Sequence, residues 1–335
     1  LGMELPTNLE DFTAFLEAAK EKYGIAPLTA NKTSPFMQVL LTAFGMGEAE
    51  WYDVDGTYTH RIKHPQIAAY LAYMQKLYSE GLMDNDMPIN TADNSKEKFA
   101  SGNAIACAPL MFWDIPSMVN ALATSNPDCK IEFVTDLAPD ADTQPSHYIM
   151  KGANFVTCIS QNSKNPEHVV NWLNILTEPD NFRRTYIGEE GVSYEMIDGN
   201  YYPIFEGDDA TNFNAYTNSD KLSGFSDPLL AFQMWQARAR KTPEMAEAYE
   251  AMNARVEEYE PLISIEAYGK TSPQVQEYIT ALNQAFSDSF LKAVVEGTDP
   301  DEAVAAMQAD WDANGGLEVE AAMQEFYDAN KDFAG

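Results

Sequence analysis

Few side chains in this sequence stand at spacings that support catalysis. His60 and His64, two of the four histidines, are separated by one helical turn's worth of chain. A zinc pair at that spacing needs a shared helical face. Here a hairpin pattern precedes His60 and Pro65 follows His64, so His64 reads more simply as a helix-entry residue. His147 and His168 are scattered. Asp53 and Asp55 resemble the opening of a calcium loop, but Gly56 arrives too early and no acidic residue closes the loop. Glu189-Glu190 imitates a pair of glycosidase carboxylates, and in a chain with 52 acidic residues such pairs arise by chance. The sequence holds no G-x-S-x-G elbow, phosphate-binding loop or G-x-G-x-x-G turn. Its three cysteines, Cys107, Cys129 and Cys158, form no closely spaced metal pattern. Cys107 and Cys158 sit in apolar, strand-like runs and read as buried free thiols, with one disulfide left open.

The elements that would position any site alternate between short strands and helices. Thr7-Asn8-Leu9-Glu10 reads as a capping box, followed by the apolar face Leu9, Phe12, Leu16 and Ala19. A short strand is expected at Ile25–Thr29 and a helix from Pro35 to Phe44. Asp55-Gly56 favours the positive φ angles of a tight hairpin turn between Trp51-Tyr52 and Thr57-Tyr58. Ile67, Leu71, Met74 and Tyr78 then repeat at helical spacing until Gly81. Further strands are expected at Ala104–Ala108, Lys130–Val134 and Asn154–Ile159, and helices from Pro116 to about Ala123, from Pro166, and over Asp180–Tyr186. Trp172 and Trp311 lie on amphipathic helices and read as core. A hairpin turns at Asp198-Gly199, an irregular polar segment covers Phe205–Pro228, and helical patterns dominate from Thr242 onward. Strands alternating with helices in the first half indicate α/β layers.

At 335 residues the chain can build a substantial core and two domain-sized bodies. With 45% hydrophobic and 12% aromatic residues it should be globular. Fifty-two acidic residues against 21 basic ones give a net charge of −31. That argues against nucleic acid as a partner, which needs a basic footprint. It also disfavours an anionic substrate. A solvated, repulsive surface that maintains solubility accounts for the charge. No apolar run reaches the length of a membrane span.

Hairpin, helix, the phrase Phe99-Ala100-Ser101-Gly102-Asn103-Ala104 and a strand, in this order, resemble the extracellular solute-binding proteins of bacterial ABC transporters. The branch is that of the family 1 carbohydrate binders, the maltose-binding-protein-like group. Leu1-Gly2-Met3-Glu4-Leu5-Pro6-Thr7 is similar to the phrase that opens the second lobe's first helix in that family. Gly191-Val192-Ser193-Tyr194 resembles a phrase of its lipid-anchored oligosaccharide binders. The resemblance covers nearly the whole chain. It implies a helix-rich, two-lobed α/β fold of the periplasmic-binding type (type II). Residues 1–144 would be mainly second lobe, 145–190 would cross back to the first lobe, and 191–335 would contribute a hairpin, an irregular segment and helices to both. Family members carry roughly a hundred residues before the Pro-Thr helix, so the first lobe is expected to be incomplete here.

The resemblance also implies a function. The chain would be the substrate-binding subunit of an importer, holding an oligosaccharide in an interlobe cleft without catalysis or cofactor, and read by permease subunits in the membrane. It would sit outside the cell, anchored through an N-terminal lipid in its precursor, or in the periplasm. Sugars are recognised by flat apolar faces beside polar groups that fork onto hydroxyls. Phe112-Trp113-Asp114 follows a strand, where a stacking phrase stands in the family, and would either stack on sugar or anchor the next helix in the core. Phe36, Tyr194, Glu195, Trp235 and Tyr268 complete the expected ligand contacts, with core packing the alternative for Phe36 and helix packing for Trp235. A secreted glycoside-active enzyme, or a binder of peptides or other polar solutes, is the competing reading.

Overall fold

The structure is a computed structural model and describes residues 1–32, 35–108, 114–151, 157–204, 236–240, 242–256 and 261–333. The chain divides into two compact units: Leu1–Gly152 with Met252–Gly335, and Ala153–Ala251.

The first unit opens with helix α1, Leu9–Tyr23, whose start is fixed by the Asn8 side chain accepting from the Asp11 N–H. The expected capping box is therefore an asparagine cap. Strand β1, Leu28–Thr29, pairs in parallel with β4, Ala106–Cys107, in the register Leu28↔Ala106 and Thr29↔Cys107. Met83 adds a parallel bridge to Leu28 on the other edge. Between them run α2, Gln38–Leu41, the hairpin β2, Trp51–Val54, and β3, Thr57–His60, helix α3, Ile67–Ser79, and helix α4, Ala92–Ala100. The hairpin turns where expected, with φ of 52° at Asp55 and 85° at Gly56. After β4 come α5, Ile115–Ser125, and β5, Tyr148–Met150.

In the second unit, α6, Pro166–Thr177, and α7, Pro179–Tyr186, lead into the hairpin β6, Tyr194–Ile197, and β7, Asn200–Pro203. Helix α8, Pro243–Val256, carries the chain back toward the first unit. There β8, Leu262–Ser264, pairs in parallel with β5, and the short α9, Glu266–Gly269, precedes three long helices. These are α10, Pro273–Glu296, α11, Pro300–Trp311, and α12, Leu317–Asn330.

The core of the first unit is built from residues far apart in sequence. Leu16 of α1, Tyr70 and Met74 of α3, Phe290 of α10, Trp311 of α11 and Met323 of α12 are all buried in one cluster. The spacing of Tyr70, Met74 and Leu77 puts one stripe of α3 against α10 and α11. The second unit has a smaller cluster of Phe182, Ile187, Tyr194 and Ala237.

Three local expectations change. Lys130–Val134 forms no strand: its alternating pattern suits one, but this stretch acquires no ladder partner, and Val134 instead packs on the first unit's core. Trp172 is 43% exposed, because only Leu176 of α6 is buried and periodicity marks an apolar face without saying what covers it. Cys158 is exposed, since residues 157–159 form no strand. The rest of the Asn154–Ile159 expectation falls outside the described residues. No described helix is long and apolar enough to cross a membrane.

Candidate functional site

One set of polar side chains in the first unit lies just after its parallel strands β1 and β4, the edge where open α/β sheets receive ligands. Thr29 ends β1, Asp84 follows the Met83 bridge, and Asp114 closes the segment that follows β4. Asp84 is the hub. It accepts from Lys98 Nζ at 2.6 Å, Asn90 Nδ2 at 2.8 Å and Thr29 Oγ1 at 3.3 Å, and its other oxygen accepts the Asp86 N–H at 3.0 Å. Burial pushes the Asp84 carboxyl up, but Lys98 and the hydrogen bonds from Asp86 and Asn90 outweigh it and leave the group below its ordinary value. Asn90 also donates to the Ala30 carbonyl at 3.1 Å, and its own carbonyl accepts the Lys32 N–H at 3.1 Å. Lys96 of α4 pairs with Asp114 at 2.7 Å. Helix α4 is thus tied by Lys98 to Asp84, after the Met83 bridge, and by Lys96 to Asp114, at the start of α5. Cys107, on β4 itself, is half-buried, and burial pushes its thiol up to about 11, so it is no nucleophile at neutral pH.

A second polar group is buried deeper and ties α9 to the start of the β2–β3 hairpin. Glu266, at the start of α9, is 3% exposed and accepts the N–H groups of Glu50 at 2.7 Å and Trp51 at 2.8 Å. Lys270 sits between Glu266 at 2.7 Å and Glu50 at 2.6 Å, and Asn283 Nδ2 donates to Glu50 at 3.1 Å. Arg61 is buried beside them, donating to the Gly47 carbonyl at 3.0 Å, with its guanidinium over the Phe36 ring at 5.0 Å. The sequence signal for this group was slight: Glu266 and Lys270 are spaced as a helical ion pair, and nothing marks Glu50 as their partner.

The expected ligand contacts distribute as follows. Phe36 is partly buried and stacks on Phe286 at 4.9 Å and lies against Phe290 at 4.8 Å, so its ring is held by the core of the first unit. Asp114 is engaged by Lys96. Tyr268 is 43% exposed on α9. In the second unit Tyr194 is buried with its ring 5.3 Å from Tyr201, and Glu195 is exposed on the same strand. Phe112, Trp113 and Trp235 lie outside the described residues. Among the described residues no group of three or more His, Cys, Asp or Glu side chains could hold a metal ion.

The fold and sequence have clear counterparts. Residues 4–192 match the family model for bacterial extracellular solute-binding proteins. An uncharacterised protein from the butB 5′ region of Niallia circulans is 30% identical over 263 residues, which is 77% of this chain and 98% of that protein. Among solved structures, the S. pneumoniae ABC-transporter substrate-binding protein FusA, an EF-hand mutant in complex with fructo-nystose, superposes with a TM-score of 0.61 at 16% identity, over 99% of this chain and 70% of its own. A solute-binding protein associated with an HMO-binding ABC transporter of Bifidobacterium longum infantis superposes at 0.59 and 16% identity, over 98% and 71%. These structural likenesses establish the two-lobed, helix-rich α/β fold of periplasmic solute-binding proteins.

Proposed function

The chain belongs to the bacterial extracellular solute-binding proteins, and we propose that it is the substrate-binding subunit of an ABC importer with an oligosaccharide as its ligand. The carrying observation is the strand edge of the first unit. It brings Thr29, Asp84 and Asn90 into one hydrogen-bonded set, and Lys96–Asp114 bounds the segment that contains Phe112 and Trp113. Polar groups held rigid suit hydroxyl-rich ligands, and Phe112 and Trp113 would supply the flat apolar faces. The saccharide names of the similar structures support the same reading.

Binding without turnover is part of the proposal, and the chemistry of this edge supports it. Its carboxylates are committed to lysines, and its thiol is protonated at neutral pH. Closure of the lobes would be driven by the ligand's greater affinity for the closed form, which the permease subunits would read. We place the protein outside the cell, with lipid anchoring of its precursor as part of the proposal. A panel of neutral oligosaccharides tested by calorimetry, beside a turnover assay with the same sugars end-labelled, decides the matter. Saturable binding with no product is expected. Sugar release abolished by one carboxylate substitution would establish an enzyme, and binding of peptides in place of sugars would move the ligand class.

A further inference from the structure

A 530 Å³ depression opens in the first unit between the Asp84–Asn90 loop and α4, within the size range of small-ligand sites. Its walls include Ile89, Asn90, Asn94, Glu97, Lys98 and Asn103. The hydrogen bonds within these walls determine what they still offer. Asn90 spends its amide donors on Ala30 and Asp84, leaving Oδ1 as an acceptor. Asn94 spends Oδ1 on the Thr91 N–H and hydroxyl, leaving its amide donors. Asn103 donates to Ser101 Oγ, leaving Oδ1 as an acceptor. Glu97 is exposed and has no ion pair among the described residues. Beside this mixture of donors and acceptors stands Ile89, 72% exposed, a large apolar side chain turned to solvent.

The charges narrow the ligand class. Lys98 is engaged by Asp84 at 2.6 Å and Asp86 at 2.8 Å, so its ammonium already occupies the place between the two carboxylates where a cation would be drawn. With Glu97 added, the depression leans negative and repels phosphates and uronates. A neutral ligand whose groups both donate and accept, and which has an apolar C–H face for Ile89, fits all of these features. We infer that this depression is a contact site for one ring of a neutral saccharide, a second surface besides the aromatic phrase after β4. The inference rests on the oligosaccharide reading above.

The 335-residue chain with isoleucine δ1 methyl labels tests it, titrated with a panel of neutral tri- and tetrasaccharides. The Ile89 methyl should shift saturably with at least one of them. In an Asn94→Ala/Asn103→Ala variant the half-saturation at Ile89 should rise about tenfold, as expected for two lost hydrogen bonds. The other isoleucine methyls report that the variant is folded. Sugar binding that shifts other methyls and leaves Ile89 silent would overturn this site and leave the importer reading intact. No saturable shift or heat with any sugar would overturn both. Tighter binding of an acidic oligosaccharide at Ile89 would overturn the charge argument.

Discussion

The His60 imidazole lies against the Trp311 indole, with 4.3 Å between ring centroids and 19° between planes, both rings buried. Burial pushes His60 down to about 3, and burial with Arg61 nearby pushes His64 down to about 4, from an ordinary 6.5. Both are neutral when folded and free to charge when unfolded. Below pH 6.5 the unfolded state therefore binds more protons. Their contribution to stability is full above that pH and is lost as pH falls toward the folded values. Each histidine adds a slope of about 1.4 kcal/mol per pH unit inside its window. Urea midpoints should fall between pH 6.5 and 4.5, and His60→Phe should flatten the dependence by about one proton. A pH-independent midpoint in the parent chain would contradict the burial of both rings.

Glu266 should be the least replaceable charge in the first unit. Glu266→Ala leaves the Glu50 and Trp51 N–H groups without their carboxylate acceptor and leaves Lys270 with Glu50 alone, and is expected to cost about 3–5 kcal/mol. Lys270 is 31% exposed, so Lys270→Ala should cost less, about 1–2 kcal/mol after solvent screening. Chemical denaturation of the two variants checks the order, which the reverse ranking would overturn.

Gly316 and Gly269 offer a controlled comparison. A Cβ at Gly316 would overlap the Trp311 ring, which is packed on His60 and unable to yield. Gly316→Ala should cost about 1–3 kcal/mol and alter tryptophan fluorescence. At Gly269 the nearest atom is Met323 Sδ at 2.8 Å, on a flexible side chain, with Phe326 at the same distance. Gly269→Ala should be the milder change and leave the tryptophan emission unmoved.

The thiols should separate by reactivity. Cys158 is exposed, whereas Cys107 is half-buried with a raised pKa. A thiol reagent at pH 8 should modify Cys158 fastest and Cys107 slowest, and denaturation should erase the difference. Fast modification of native Cys107 would show that β4 is open to solvent.

The aromatic substitutions should divide between stability and affinity. Phe36→Ala removes a ring stacked on Phe286 and Phe290 and should lower stability by about 2–3 kcal/mol. Trp113→Ala or Phe112→Ala should instead weaken the best saccharide by about 1–3 kcal/mol while leaving the unfolding midpoint in place. If neither residue affects affinity, the stacking assignment is wrong.

Local chemistry explains what was readable in the sequence. Asp55-Gly56 and Asp198-Gly199 announced their hairpins because only certain residues accept the φ angles required. Helix α3 was legible from one apolar stripe. Strand β5 was missed, because Tyr148–Met150 is short and gains its identity from Leu262–Ser264, over a hundred residues away. The Glu50–Lys270–Glu266 group was missed for the same reason. The helix expected to open around Phe36 instead starts at Gln38, and the partners of the Phe36 ring were decided by α10, remote in the chain.

The first unit is interrupted by the second, and this sets the order in which it can form. Its core joins Leu16 and Tyr70 to Phe290, Trp311 and Met323, and the Tyr58 N–H finds its acceptor only in Gln324. During synthesis, residues 1–152 emerge without the helices that seal them, and stay open until residues 252–335 have followed. Contacts of such long sequence separation make for slow folding. A chain that closes late stays threadable for longer than one that seals its core as it emerges.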